Sequence, residues 1–120
     1  MVARILVVDD EPDLRFVLRR IFERAGHEVL DASHGAQALE SARKSLPDLV
    51  VTDMMMPVMS GPELIKQLRA DPATAAIPIL AATGDSQVAT AADAVLSKPY
   101  HADQMLAAAN ALMAQKGHRT

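Results

Sequence analysis

The chain has no cysteine and no tryptophan, and only one tyrosine and two phenylalanines among its 120 residues. Without cysteine there are neither disulfides nor thiolate metal sites. With aromatics at 2% the core has to be aliphatic, built from Val, Leu, Ile, Ala and Met. Positive charge is not in excess either: the formal net charge is -3, and the lysines and arginines are scattered along helical segments, so no basic patch invites nucleic acid. No apolar run approaches a membrane span, and Ile5 to Val8 is too short for a signal-peptide core and passes straight into Asp9-Asp10-Glu11-Pro12-Asp13. Gly/Ser linkers, low-complexity tracts and internal repeats are missing as well. These absences predict one cytoplasmic domain over residues 1–120, the last few residues forming a tail.

What is present is an alternation of short aliphatic runs with longer helical patterns. "RILVVDD", "HEVLDAS", "PDLVVTD", "IPILAAT" and "DAVLS" read as five strands, the second more polar and therefore nearer an edge. Between the first two, Leu14, Val17, Leu18, Ile21, Phe22 and Ala25 recur at helical spacing and place one apolar stripe on a helix that Gly26 ends. "GAQALESARKS" predicts a second helix with Ala38, Leu39 and Ala42 inward. "GPELIKQLRAD" predicts a third, with Pro62 tolerated in its first turn. "HADQMLAAANALMAQKG" predicts a last helix with Met105, Leu106, Ala109, Leu112 and Met113 on one face. Aliphatic strands alternating with helices imply an α/β fold, a parallel sheet covered on both faces by right-handed crossovers. In such sheets the ligand site lies beyond the carboxyl ends of the strands.

Those ends are polar. The first strand closes on Asp9 and Asp10, the third on Asp53, the fourth on Thr83, and Lys98 follows the fifth. Three convergent carboxylates repel one another unless a cation neutralises them, and an all-oxygen donor set suits Mg²⁺. The lysine adds a second positive charge and the threonine a hydroxyl donor. This inventory fits phosphoryl transfer, with a carboxylate as nucleophile. Asp53, alone on a central strand, is the candidate phosphoacceptor, while the adjacent Asp9 and Asp10 are better placed to hold metal. Taken singly each residue has a bland alternative: Asp10 as a helix cap, Asp53 and Thr83 as turn residues, Lys98 as a solvated side chain. Their joint occurrence at four strand ends does not.

The segments "ILVVDDEP", "DLVVTDMMMPVMSG", "IPILAATG" and "VLSKPY", in that order and over nearly the whole chain, resemble a response-regulator receiver domain, the phosphoacceptor partner of sensor histidine kinases. The resemblance implies a flavodoxin-like sheet of order 2-1-3-4-5, and a phosphoryl group passed to Asp53 from a phosphohistidine of a sensor kinase or phosphotransfer protein. It further implies Mg²⁺ held by Asp10, Asp53 and the backbone carbonyl of Met55 with Asp9 assisting, Thr83 on a phosphoryl oxygen, Lys98 on that oxygen or on Asp53, and a cis Lys98-Pro99 bond. The protein would be a stand-alone signalling phosphoacceptor, not an enzyme in its own right, switching a surface that a downstream protein reads, with dimerisation on phosphorylation left open. Met54 and Met56 are expected to pack in the core, Met55 to screen the mouth of the site, and Gly61 to stand where a side chain would crowd the loop.

Two features depart from the family. The fifth-strand position that carries a switching aromatic, three residues before the lysine, is Val95, which has no ring to swing. Only fourteen residues separate Thr83 from Lys98, which predicts a shortened fourth helix. A phosphate-independent interaction module is therefore the alternative reading. A haloacid-dehalogenase phosphatase would need an aspartate where Met55 stands, and a nucleotide-binding sheet would need a glycine-rich loop where "DDEPD" stands.

Overall fold

The computed structural model describes residues 2–54, 59–84 and 92–117, with side chains to residue 115. Among these residues the elements run β1 (Arg4–Val8), α1 (Pro12–Arg24), β2 (Glu28–Ala32), α2 (Gly35–Ser45), β3 (Leu49–Asp53), α3 (Gly61–Ala70), β4 (Ile79–Thr83), β5 (Ala94–Ser97) and α4 (Ala102–Gly117). The strands form one parallel sheet in the order β2-β1-β3-β4-β5. β2 is an edge strand, as its polarity predicted, and β3 is central. The expected fourth helix of the family falls on residues 85–91, outside the described residues.

Alternation along the strands divides the aliphatic core in two. Leu6, Val8, Val50, Ile79 and Ala81 meet α2 and α3 through Ala38, Leu39, Ala42, Leu64, Ile65 and Leu68. Ile5, Val7, Leu49, Val51, Leu80 and Ala82 meet α1 and α4 through Leu18, Phe22, Met105, Ala109 and Leu112. Every residue of β3 and β4 is buried, because helices cover both faces of the central strands. The periodic stripe read on α1 is only partly inward: Leu18 and Phe22 are buried, whereas Leu14 and Val17 are exposed. The helix contacts the sheet along a seam too narrow to cover its whole apolar arc.

Local chemistry explains the element boundaries. Gly26, at φ 91°, takes the left-handed conformation that ends α1. Ser60 caps α3, its Oγ accepting from Glu63 N–H at 3.4 Å, with Pro62 in the first turn where its missing N–H costs nothing. At the far end of α3, Arg69 donates to the carbonyls of Ala75 and Ile77 and to Asp93, which itself accepts from the backbone N–H of Ile79. This network ties the beginnings of β4 and β5 to α3 and leaves their carboxyl ends to define the site.

Candidate functional site

Asp53 closes β3 opposite Ala82 of β4. Asp9 lies one residue past β1, its N–H extending the ladder to the Ala32 carbonyl at 3.2 Å, and Asp10 follows. One carboxylate oxygen from each of Asp9, Asp10 and Asp53 lies within 4.8 Å of the others. Asp9 is 2% exposed and Asp53 8%, while Asp10 is partly buried. Asp10 does not cap α1: the N-cap residue is Glu11, without a side-chain cap.

Lys98, one residue past β5, joins the group from the opposite side of β4. Its Nζ stands 3.3 Å from Asp53 Oδ1 and 3.9 Å from Asp9 Oδ2, and its backbone N–H donates to the Thr83 carbonyl at 2.9 Å. Thr83 ends β4 fully buried, in register with Ser97. The Lys98-Pro99 bond is cis. The structure thus gathers Asp9, Asp10, Asp53, Thr83 and Lys98 at one edge of the sheet. Met55, together with Met56 and Asp85, lies outside the described residues. Met54 is buried against α2 and α3, as expected. A Cβ on Gly61 would meet the Asp53 carbonyl oxygen and Met54 Cα at 2.6 Å each, so only glycine lets α3 start this close to the loop.

Two further residues bear on the site. Arg15, in the first turns of α1, reaches back so that Nη1 donates to the main-chain carbonyl of Asp9 at 2.8 Å. Nothing in the sequence distinguishes it from the other arginines of that helix. Tyr100 packs on the α1/α4 core, and its phenol is pushed up to about 12, first by burial and then by the charges of Asp9 and Asp53. Its place directly after Lys98-Pro99 was the available signal.

The electrostatics show what the cluster costs. Burial raises the Asp9 carboxyl above the usual 3.8; the Glu11 N–H and Lys98 oppose that rise, and Asp53 and Asp10 add to it. The folded chain therefore holds this proton more tightly than the unfolded chain. Asp9 favours folding fully below about pH 3.8 and loses that contribution as pH rises through its raised value. At neutral pH its charge opposes folding. Asp9→Asn, which keeps an oxygen to accept from Glu11 N–H, should melt above the wild type at pH 7 without divalent cations, and the gap should close as pH falls toward 3.8. A variant less stable than wild type at pH 7 would contradict this account of the buried charge.

A hard dication relieves the same cost. The donors are all oxygen, and their spread within 4.8 Å is comparable with the about 4 Å that separates opposite ligands of a Mg²⁺ at ~2.1 Å. Asp9, Asp10 and Asp53 therefore fit Mg²⁺.

Residues 5–110 match the family model of the response regulator receiver domain. The chain is 35% identical over 119 residues to Protein PilH of Pseudomonas aeruginosa, covering 93% of this chain and 98% of that protein. It is 38% identical over 117 residues to Chemotaxis protein CheY of Bacillus subtilis, covering 92% and 97%. A crystal structure of a response regulator receiver domain protein from Clostridium thermocellum matches with a TM-score of 0.90 at 28% identity, covering 98% and 99%. Of other curated relatives that it matches, the chain spans about half the length. The chain belongs to the response regulator receiver domain family and is a phosphoacceptor of two-component signalling. No helix among the described residues is long and apolar enough to cross a membrane.

Proposed function

We propose that Asp53 is the phosphoacceptor and that this chain acts as a single cytoplasmic receiver domain over residues 1–120. A carboxylate oxygen of Asp53 attacks the phosphorus of a phosphohistidine, the new O–P bond forming as the N–P bond breaks and the imidazole leaves. The observation that carries this reading is the Lys98 ammonium, 3.3 Å from Asp53 Oδ1 and 3.9 Å from Asp9 Oδ2, at the rim of a buried carboxylate cluster. Lys98 is free to follow the charge from the carboxylate to a phosphoryl oxygen. Thr83, joined to Lys98 through the backbone, offers its hydroxyl to a second oxygen. Bound Mg²⁺ supplies the charge neutralisation that lets an anionic donor approach three carboxylates. Asp9, Asp10 and the Met55 carbonyl, with Asp53, would hold it. Incubation with Mg²⁺ and a small acyl phosphate should add one phosphoryl group by intact mass. A protein left unmodified would refute the reading.

The donor is a sensor histidine kinase or phosphotransfer protein, and the groove between α1 and α4 supports docking beside the site. Phe16 and Val17 are 60% and 49% exposed, and with Ile21, Ala102 and Leu106 they line an apolar groove. Its charged lining is basic, Arg20 and Arg24, with the Arg20 guanidinium 5.8 Å over the Phe16 ring. α1 begins two residues after Asp10 and α4 four residues after Lys98. Phe16→Ala should slow transfer from a cognate protein donor by about tenfold, the effect of losing one interface anchor, with uptake from acyl phosphate unchanged. Equal loss with both donors would move Phe16 from docking to folding.

The output is a protein-interaction surface whose state follows phosphorylation. The family's switch position is Val95, 39% exposed on β5, so no aromatic ring reports the change there. Partner affinity with and without beryllofluoride tests the output. Equal affinity in both states would favour a phosphate-independent module.

A further inference from the structure

The three carboxylates hold a geometry that their mutual repulsion opposes, and the β1-α1 loop has to resist it. Asp9 itself is secured by its N–H to the Ala32 carbonyl at 3.2 Å and by its Oδ1, which accepts from Glu11 N–H at 2.9 Å. Asp10 is the least buried member of the cluster, beyond the sheet ladder, beside two like charges, and carried by the loop backbone. That backbone is the Asp9-Asp10 peptide, and its oxygen accepts the 2.8 Å hydrogen bond from Arg15 Nη1. Because the peptide unit is planar, holding its oxygen limits how far the Asp10 N and Cα can move, and so where the Asp10 side chain starts. Arg15 is itself anchored, its backbone N–H donating to the Glu11 carbonyl at 3.0 Å in the first turn of α1.

We propose that Arg15 is a positioning residue of the metal site, which holds Asp10 toward Asp9 and Asp53 through the Asp9 carbonyl. The inference rests on the reading of this cluster as a Mg²⁺ site. The guanidinium has two possible effects on a cation, and they differ in sign. As a nearby positive charge it would weaken cation binding, and removing it would tighten binding. As the clamp on the Asp9-Asp10 peptide it strengthens binding, and removing it weakens binding. Loss of an outer partner that orients metal ligands typically lowers affinity by 10-fold or more. The sign of the change on removing Arg15 decides between the two, and the clamp predicts weaker binding.

The Mg²⁺ concentration at half-maximal effect can be read without activity, from the rise in melting temperature and from the emission of Tyr100, the only tyrosine in a chain without tryptophan. Arg15→Gln is expected to raise that midpoint about tenfold. Arg15→Lys, which keeps the charge and one donor, should recover part of the loss. Arg19→Gln removes an arginine of the same helix that pairs with Glu23 and Asp31, and should leave the midpoint at the wild-type value. An unchanged or lower midpoint in Arg15→Gln overturns the proposal, as does an equal rise in Arg19→Gln. Should Arg15→Gln fail to fold, Arg15→Lys decides the matter in the same two directions. A wild type that shows no response to Mg²⁺ would instead overturn the metal-site reading itself.

Discussion

Phosphoryl uptake from acyl phosphate is expected to vanish in Asp53→Asn, while Asp9→Asn and Asp10→Asn keep it at a lower rate that more Mg²⁺ partly restores. The three carboxylates are close in space and differ in what else they do. Asp9 commits Oδ1 to the Glu11 N–H, which keeps the loop after β1 in its turn, so its charge is the part left for a cation. Asp10 stands beyond the ladder and contributes charge from the loop. Asp53 closes the central strand, rigidly held because all of β3 is buried, and has the shorter of the two contacts to Lys98. A nucleophile must be oriented toward its target, which suits the carboxylate fixed at the end of the buried central strand beside Lys98. Asparagine has the same shape but presents a neutral amide that does not attack phosphorus. Intact mass after treatment with Mg²⁺ and acyl phosphate gives the answer. Equal uptake by Asp53→Asn would assign the phosphoryl group elsewhere.

Gly61→Ala is expected to disturb the protein more than its size suggests. The added Cβ would sit 2.6 Å from the Asp53 carbonyl oxygen and 2.6 Å from Met54 Cα, both backbone atoms, and 2.7 Å from Met54 Sδ. The sulfur can move. The backbone cannot without dragging the end of β3, because Gly61 N–H also donates to the Met54 carbonyl at 3.1 Å. Overpacking of this kind costs about 1–3 kcal/mol, and at about 4 °C per kcal/mol for a domain of this size the melting temperature should fall measurably. Phosphoryl uptake should slow as well, since the displaced backbone carries Asp53. Gly84→Ala is the control: a Cβ there meets nothing within 4 Å among the described residues, and stability should be unchanged. Similar melting temperatures for the two variants would show that the close approach at Gly61 is not a constraint.

The match between sequence and structure is uneven for physical reasons. β3 and β4 were legible because strands buried on both faces are built mostly of aliphatic residues in short runs. α2 was legible because the inward positions of a helix recur every three or four residues. α1 shows the limit of that logic. Its periodic stripe includes Val17, and Phe16 adds an exposed ring outside the stripe, because periodicity identifies an apolar arc and not the width of the seam that covers it. The site residues were legible for another reason: in a parallel sheet every strand delivers its last residue to the same edge, so the reading direction of the chain is enough to collect Asp9, Asp10, Asp53, Thr83 and Lys98.

The sequence by itself therefore determined the alternating α/β architecture, the sheet edge where the carboxylates meet and the residue types that meet there, since all three depend on order and periodicity along the chain. Tertiary structure alone decided that Lys98 bridges Asp53 and Asp9, that Arg15 and not another arginine of α1 grips the Asp9 carbonyl, and that Tyr100 feels the site charges. Each of those depends on where a long side chain ends after crossing from one element to another, and that is fixed by packing against residues remote in sequence.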